Sequence, residues 1–592
     1  MGLPRAIQAH QQGDLAEAMR HYQRAIDQGD HRPPLFQNYG ALLRQQGKQE
    51  HALQVYDLGL QCNPRDAGVL TNRANLIRDN RPASALADLL AALRLRMAQG
   101  EQPSACSELL RSLISLCREL GLQAWAQALA QVALRLVGPE PLLLGQLLVL
   151  LDGLAAAAEV SPDEPGEGVR EKLVALLEQR IRRCAPRQQA ELRLALAGHD
   201  MARGHLEQAL QLYEQGLAAL REPGELDPQE TQERQKLLDL NSWNFGCGLL
   251  QAQELGRGWQ LYEHGLRTPA EGPQRWQRAL RKPFAASELP IWRGEPLVGK
   301  RLLLLEEQAI GDVMMFLTLL PALQQEAAAV DLMLGERLVP IYRRCLAEPV
   351  KIWTHADALQ GRFIAADYDV QCPIGSICQH RFTRLDTYAQ RVPMLVAQAA
   401  RRDELRQAYA TAGGSPAQRL IGISWKGGGT AGRIRAKSIS PEQFAQLLQP
   451  LPGARFVSLQ YGKAAPQVEQ WRQAGLDVIH DPRVDALRDM DLWLDQVAAC
   501  DAVISVANTT IHGAGGLNLP TQCLLSRNCD WRWFTDPAVQ RSYWYPSVGI
   551  LREDPQAGWA QALQRARHWL EQGCPMPAGP TATRALQPVR AR

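Results

Sequence analysis

Three short runs in the C-terminal half combine residue types that can do chemistry. The first is Gln308-Ala-Ile-Gly311-Asp312, which follows an apolar stretch after Glu306-Glu307. Glycine permits a sharp turn from strand to helix, and Asp312 then stands in the helix's first turn. A carboxylate there fits two roles. It can take a proton from a hydroxyl nucleophile, or it can cap the helix, where free N–H groups and the dipole favour negative charge. The second run is Trp425-Lys426, a glycine-rich stretch, then Arg433, Arg435 and Lys437. Cations on a loop above a sheet suit a diphosphate, each charge-assisted bond contributing about 1.5–3 kcal/mol. Without a ligand the same loop is a solvated basic segment. The third run is Asn508-Thr509-Thr510-Ile511-His512-Gly513. Its hydroxyls and the backbone N–H groups of a small-residue helix start make an anion site. His512 either adds a donor to that site or serves the packing.

Two familiar phosphate motifs fail on context. Gly294 to Lys300 satisfies most of a P-loop, yet Arg301 stands where a magnesium-binding Ser or Thr belongs, and the run precedes a strand instead of following one. Gly427 to Gly432 matches GxGxxG after a strand. The next helix, however, starts only at Ser440-Pro441-Glu442-Gln443, a capping box with proline at the first helical position. Both matches are accidental.

These runs must be positioned by regular elements, and the two halves of the chain differ in period. Ala6, Gly13, Ala18, Tyr22 and Ala25 recur as Gly40, Gly47, Ala52, Tyr56 and Gly59. Small residues let two antiparallel helices approach, and the aromatic fills the gap between hairpins. That register resembles the tetratricopeptide repeat. Further copies are read at 72–95, from Gly204 to Tyr213 and, degenerate, from Gly256 to Tyr262. Turn-forming segments at 161–168 and 222–227 break the helical stretch between them.

After about Lys300, apolar β-type runs alternate with helical ones. Candidate strands are 301–305, 330–334, 351–353 and 368–371, then 420–425, 455–459, 476–479, 502–506 and 521–525. Such strands imply two parallel sheets covered on both faces. Gly413 to Pro416 is the natural hinge between them. Ligands of open α/β sheets bind at the carboxyl ends of strands, where all three runs fall.

Bulk properties exclude other classes. The 592 residues carry 65 basic and 62 acidic side chains, a net +3, which argues against a general polyanion or nucleic-acid binder. The twelve cysteines are scattered without a CxxC pair, so free thiols in a reducing compartment are expected and a metal site is not. No export signal is visible at the start. The longest apolar run, 142–151, is about half the ~20 residues a bilayer crossing needs. A cytoplasmic protein without a transmembrane segment is expected.

Longer motifs carry a family likeness. Pro290-Ile-Trp292 through Lys300, then Glu307-Gln308-Ala-Ile-Gly311-Asp312, resemble the start of the bacterial tetratricopeptide-repeat glycosyltransferases related to heptosyltransferases. The likeness to this glycosyltransferase family 9-like group continues through Val457-Ser-Leu-Gln460, Cys500-Asp501, Thr509-Thr510-Ile-His512, Asp530-Trp531-Arg-Trp533 and Trp544-Tyr545-Pro546. The resemblance implies a GT-B fold, with the nucleotide-sugar donor mainly in the second domain and the acceptor on the first. It implies no metal or other cofactor, since fixed cations and helix N-termini stabilise the leaving diphosphate.

By the match, Asp312 is the acceptor-activating base and Gln308 and Gly311 belong to the acceptor-side loop. Lys426, Arg433, Lys437, Asn508, Thr509, Thr510, His512 and Gly513 fall on the donor side. Two positions depart from the family: Ala507 replaces a common Asp that helps hold the donor, and Ala309 replaces a Gly.

The expected fold class is α plus α/β. A tetratricopeptide-like α-solenoid (1–96) and a helical region with degenerate hairpins (97–284) precede a GT-B module of two Rossmann-like α/β domains. These are an acceptor domain (285–412) and a donor domain (413–574), with a disordered tail at 575–592. The expected function is metal-independent transfer of a sugar from a nucleoside-diphosphate sugar to a glycan or protein hydroxyl, with a protein partner on the repeats. Ala507 keeps open the alternative of a non-catalytic scaffold with a degenerate sugar-nucleotide-binding domain.

Overall fold

A computed structural model of the chain describes residues 2–579 with some exceptions. These are 130–185 (where only 175 and 181 are described), 102–105, 224–226, 268–283, 413–415, 429–433, 435–436 and a few single positions. The apolar run at 142–151, the turn at 161–168, most of the expected hinge and most of the tail lie outside the described residues. The chain divides into two compact units, Met1–His199 and Asp200–Arg592.

The first unit is helical, with the hairpins Gly2–Gln11/Leu15–Asp27, Pro33–Gln45/Gln49–Cys62 and Ala67–Ile77/Pro82–Ala98. The 34-residue register has a direct physical cause. Ala6, Ala18, Tyr22, Ala52 and Tyr56 are fully buried. A Cβ on Gly40 would strike the Tyr56 ring, and one on Gly59 would lie 2.7 Å from Phe36 Cβ. Gly47 adopts φ +75° at the turn between its two helices, where a side chain would be strained.

The second unit begins with three helices, Leu206–Arg221, Pro228–Gln251 and Leu255–Tyr262. Asp227 and Glu230 form a reciprocal capping box at the start of the long one. It packs very closely on the next: a Cβ on Gly246 would lie 2.8 Å from the Tyr262 backbone nitrogen and 2.9 Å from the Gly258 carbonyl.

Two all-parallel sheets follow. The first has the order β3-β2-β1-β4, from β1 (Arg301–Leu305), β2 (Ala329–Met333), β3 (Ile352–Trp353) and β4 (Val370–Pro373). The second has the order β10-β9-β8-β5-β6-β7, from β5 (Arg419–Ser424), β6 (Ala454–Ser458), β7 (Val478–Ile479), β8 (Ala502–Val506), β9 (Thr521–Leu525) and β10 (Val548–Arg552). Nine strands lie within about two residues of their expected positions. The tenth, β10, is not legible in the sequence, because Gly549 interrupts a short apolar run closely preceded by Pro546. β4 extends to Pro373, which an edge strand tolerates: among the described residues its outer side is bridged only at Gln371, by Ile291, and no ladder bond calls for an N–H at Pro373.

The segment between the sheets runs past the far ends of two helices. The Val392 N–H donates to the Thr318 carbonyl (2.8 Å) and the Leu395 N–H to the Gly516 carbonyl (2.9 Å). Helix Ala399–Thr411 then docks on helix Met490–Ala498, where Tyr409 accepts from Gln496 and donates to Asp481 (2.8 Å).

One aromatic cluster joins the helical hairpin to both sheets. The Trp259 ring meets Tyr262, Phe316, Trp531 and Trp544 at centroid separations of 5.2 to 6.3 Å, and its Nε1–H donates to Tyr388 Oη (3.0 Å). Such pairs contribute roughly 0.5–1.5 kcal/mol each beyond the area they bury.

Gly246→Ala therefore forces the two helices apart, because its Cβ meets backbone that cannot rotate away. An over-packing cost of about 1–3 kcal/mol is expected. It is read as a lowered unfolding midpoint in urea at unchanged m-value; an unchanged midpoint would show that the hairpin tolerates the separation.

Candidate active site

The turn after β1 is shaped by one strained residue. Gln308 takes φ +60°, a left-handed conformation unusual for a residue with a side chain. Its amide is held at both ends. Nε2 donates to Tyr262 Oη, and Oε1 accepts from Arg532 Nη2 at 3.3 Å. Ala309 then extends the chain into helix Ile310–Leu317, whose first turn carries Gly311 and Asp312.

Asp312 is buried, with 3% of its surface exposed. Oδ2 accepts the Ala309 N–H at 3.3 Å, so the residue does cap its helix. Oδ1 does something the sequence did not suggest: it pairs with Arg532 Nε at 2.5 Å, reaching across to the second sheet. Gly311 makes this approach possible. A Cβ there would lie 2.7 Å from His512 Cδ2, so the two helix starts meet only because the position is bare.

On the second sheet, two amides fix the strand ends. Gln460 Oε1 accepts from Ser424 Oγ (3.0 Å), the Trp425 N–H (3.1 Å) and the Lys426 N–H (2.8 Å). Asn508 caps helix Thr509–Gly516 by accepting the Thr510 N–H (2.8 Å). Its Nδ2 donates to Ser424 Oγ (2.7 Å) and the Lys426 carbonyl (3.1 Å). Asn508 thus ties β5 to β8, and its amide is committed to that tie.

Thr509 is half-buried, while Thr510 is fully buried with Oγ1 lacking a hydrogen-bond partner. An unmet buried hydroxyl at a helix start calls for an acceptor. Gly513 is glycine for packing: a Cβ would lie 2.7 Å from the Trp493 ring. Lys426 points an exposed side chain outward, and Arg433 lies outside the described residues.

Lys437 comes back from the loop to pair with Asp530 Oδ2 at 2.7 Å, and Arg532 Nη1 lies 3.2 Å from the same oxygen. The Arg532 guanidinium also stacks 4.3 Å over the Trp531 ring. Burial pushes the Asp530 carboxyl up, but Lys437 and Arg532 together hold it well below the usual carboxylate range. Burial likewise disfavours the charge on Arg532, and the carboxylates of Asp312 and Asp530 more than restore it.

Arg532 and Asp530 are the functional candidates that residue-by-residue reading missed. The signal was present in the motif Asp530-Trp531-Arg532-Trp533, an acid and a base beside aromatics, but nothing in one dimension ties it to Asp312, 220 positions away. Gln460 likewise stands inside a motif, Val457-Ser-Leu-Gln460, whose spacing alone assigns it no role. Among the described residues no cluster of metal-ligand type occurs, and the described cysteines are all free. No helix among them is long and apolar enough to cross a membrane.

No protein-family model matches the chain. Among curated proteins, Protein FlbA of Caulobacter vibrioides is 26% identical over 332 residues, 54% of this chain and 52% of that protein. The chain thus spans about half the length of the curated relative it matches. Among solved structures, the ADP-heptose lipopolysaccharide heptosyltransferase II of E. coli is similar to 46% of this chain over 98% of its own, at 16% identity and TM-score 0.33. A mutant O-GlcNAc transferase of Thermobaculum terrenum is similar to 80% of the chain over 93% of its own, at 12% identity and TM-score 0.24.

His512 supplies a test of the packing at this junction. Burial is the largest influence on its ring and depresses it to about 4, against the pull of Asp312. Its Nδ1 lies 3.1 Å from Tyr545 Oη. A depressed histidine stabilises the fold fully above its unfolded value of about 6.5 and loses that contribution as pH falls towards 4. The stability advantage of the wild type over His512→Gln should therefore shrink by about 2 kcal/mol between pH 7 and pH 5. Urea unfolding at the two pH values measures this, and a constant advantage would mean that the ring titrates normally.

Proposed function

We propose that the second unit is a glycosyltransferase that moves a sugar from a nucleoside-diphosphate sugar to a hydroxyl acceptor. One observation carries the reading. A carboxylate from the turn after β1 meets the cations and the helix start from the second sheet at the carboxyl ends of both sheets. Acid on one side and anion-binding groups on the other are what the reaction requires.

In this reading residues 285–412 present the acceptor and 413–574 hold the donor. Asp312 Oδ1 takes the proton of the acceptor hydroxyl. The new bond forms between that oxygen and the anomeric carbon, and the bond from that carbon to the phosphate oxygen breaks. The electron pair leaves with the nucleoside diphosphate. Lys437, Arg532, the Thr509 N–H and the hydroxyls of Thr509 and Thr510 compensate its charge. They act as electrostatic groups aimed at charge that develops in the transition state, and the step needs no metal. Lys426 and Arg433 extend the same basic loop. The repeats of the first unit serve a protein partner or present a protein or glycan acceptor.

A thermal-shift screen against UDP-, GDP-, ADP-, CMP- and dTDP-linked sugars tests the donor side. One class should raise the melting temperature, because a ligand bound only to the folded state stabilises it. Silence from every donor, together with no sugar-nucleotide hydrolysis, would leave a scaffold in place of an enzyme. For the acid, Asp312→Asn is the better variant than Asp312→Ala. It keeps a partner for Ala309 and a polar group beside Arg532, so its effect reports on chemistry. Turnover should fall by about 10²–10⁴-fold, the range for a lost general base, when measured well below a melting temperature that itself falls because Arg532 loses one of its two carboxylates. Normal turnover would remove Asp312 from the mechanism. Turnover of the wild type should persist in excess EDTA; its loss would show that a metal takes part.

A further inference from the structure

Two donor-side cations, Lys437 and Arg532, are already neutralised from within the protein. Lys437 meets Asp530, Asp530 meets Arg532, and Arg532 meets Asp312, at 2.7, 3.2 and 2.5 Å. Two cations and two carboxylates alternate in one line, and their formal charges cancel. An incoming diphosphate can recruit Lys437 or Arg532 only if one of these pairs opens.

We propose that Arg532 exchanges partners: it holds Asp312 while the site is empty and moves to the diphosphate when a donor binds, freeing Asp312 for the acceptor hydroxyl. Arg532 thus orders the reaction, donor first. This rests on the transferase reading above.

Several observations favour exchange at this pair over the others. Arg532 keeps 18% of its side-chain surface exposed, and its guanidinium lies on the Trp531 ring, a flat surface over which it can turn without losing its support. Its further bond, to Gln308 Oε1, is long at 3.3 Å. Asp312 would keep its place after release, because Oδ2 remains held by the Ala309 N–H. The planar fork of arginine matches phosphate as well as it matches carboxylate. Thr510 Oγ1 is an independent sign. This buried hydroxyl, two residues before the His512 that packs against Gly311, has no hydrogen-bond partner among the described residues and is free to meet an acceptor oxygen.

The exchange makes an unusual demand: removing the catalytic carboxylate should tighten binding of the leaving group. Isothermal titration with UDP, GDP, ADP and dTDP on the full chain measures this for wild type, Asp312→Asn, Arg532→Gln and the double variant. The nucleoside diphosphate that binds the wild type should bind Asp312→Asn about tenfold more tightly, the scale of one charge-assisted hydrogen bond. Arg532→Gln should bind it about tenfold or more weakly. In the Arg532→Gln background Asp312→Asn should bring no further gain. A gain of equal size in both backgrounds would be simple relief of charge repulsion and would overturn the exchange, as would an unchanged or weakened Asp312→Asn.

Arg532→Lys, which keeps the charge near Asp312, guards against misfolding of the glutamine variant and should bind with intermediate affinity. Wild-type binding without tightening in Asp312→Asn overturns the exchange alone. Absence of binding by the wild type and Asp312→Asn alike to all four nucleotides overturns the transferase reading with it.

Discussion

A guanidinium that is about four-fifths buried dictates the arrangement at the centre of the second unit. Removing such a charge from water costs several kcal/mol unless partners surround it. Arg532 has Asp312, Asp530, the Gln308 amide and the Trp531 face, and these come from both sheets. The sheets share no strand, so contacts of this kind, the aromatic cluster and the crossing segment hold them in register. Gly311 belongs to the same requirement, since any side chain there would drive His512 off and open the pair.

The pair also explains how one carboxylate answers to two descriptions. Helix capping and hydroxyl activation look like rival readings of Asp312 when only its position is known. In the structure its two oxygens are divided: Oδ2 takes the backbone N–H of its own turn, and Oδ1 faces the second sheet. Anchoring one oxygen is what makes the other a defined point in space. Asn508 shows a different outcome. Its place in the anion-binding run suggested ligand contact, but its amide is occupied in tying β5 to β8, so its influence on a donor would pass through the position of Thr509 and Thr510.

Much of the architecture was legible because it depends on period and local chemistry. Tyr56 beside Gly40 produces the repeat register, and largely apolar runs alternating with helical ones produced nine of ten strands. β10 was hidden because its run is short and split by Gly549. The members of the site were legible one at a time, from a glycine before an acid or small hydroxyl residues before a histidine. Their partners were not. The link from Asp312 to Arg532, or from Gln308 to Tyr262, depends on which faces of distant elements meet, and no spacing encodes that. Only chain-long motif order hinted that these segments belong together.

The bond from Tyr262 to Gln308 bears on where this protein can be divided. The residue that sets the loop before Asp312 is held in a costly backbone conformation, and one of its two anchors comes from a helix that resembles the repeats. Trp259 of that helix is a hub of the aromatic core as well. A fragment starting at the first sheet would have the strands yet lack the post that braces this loop. A piece that keeps this brace must include that helix, and the compact unit holding it begins at Asp200. Helices that carry the repeat pattern are masonry of the second unit, and a graft of its sheets onto a foreign scaffold must carry them along.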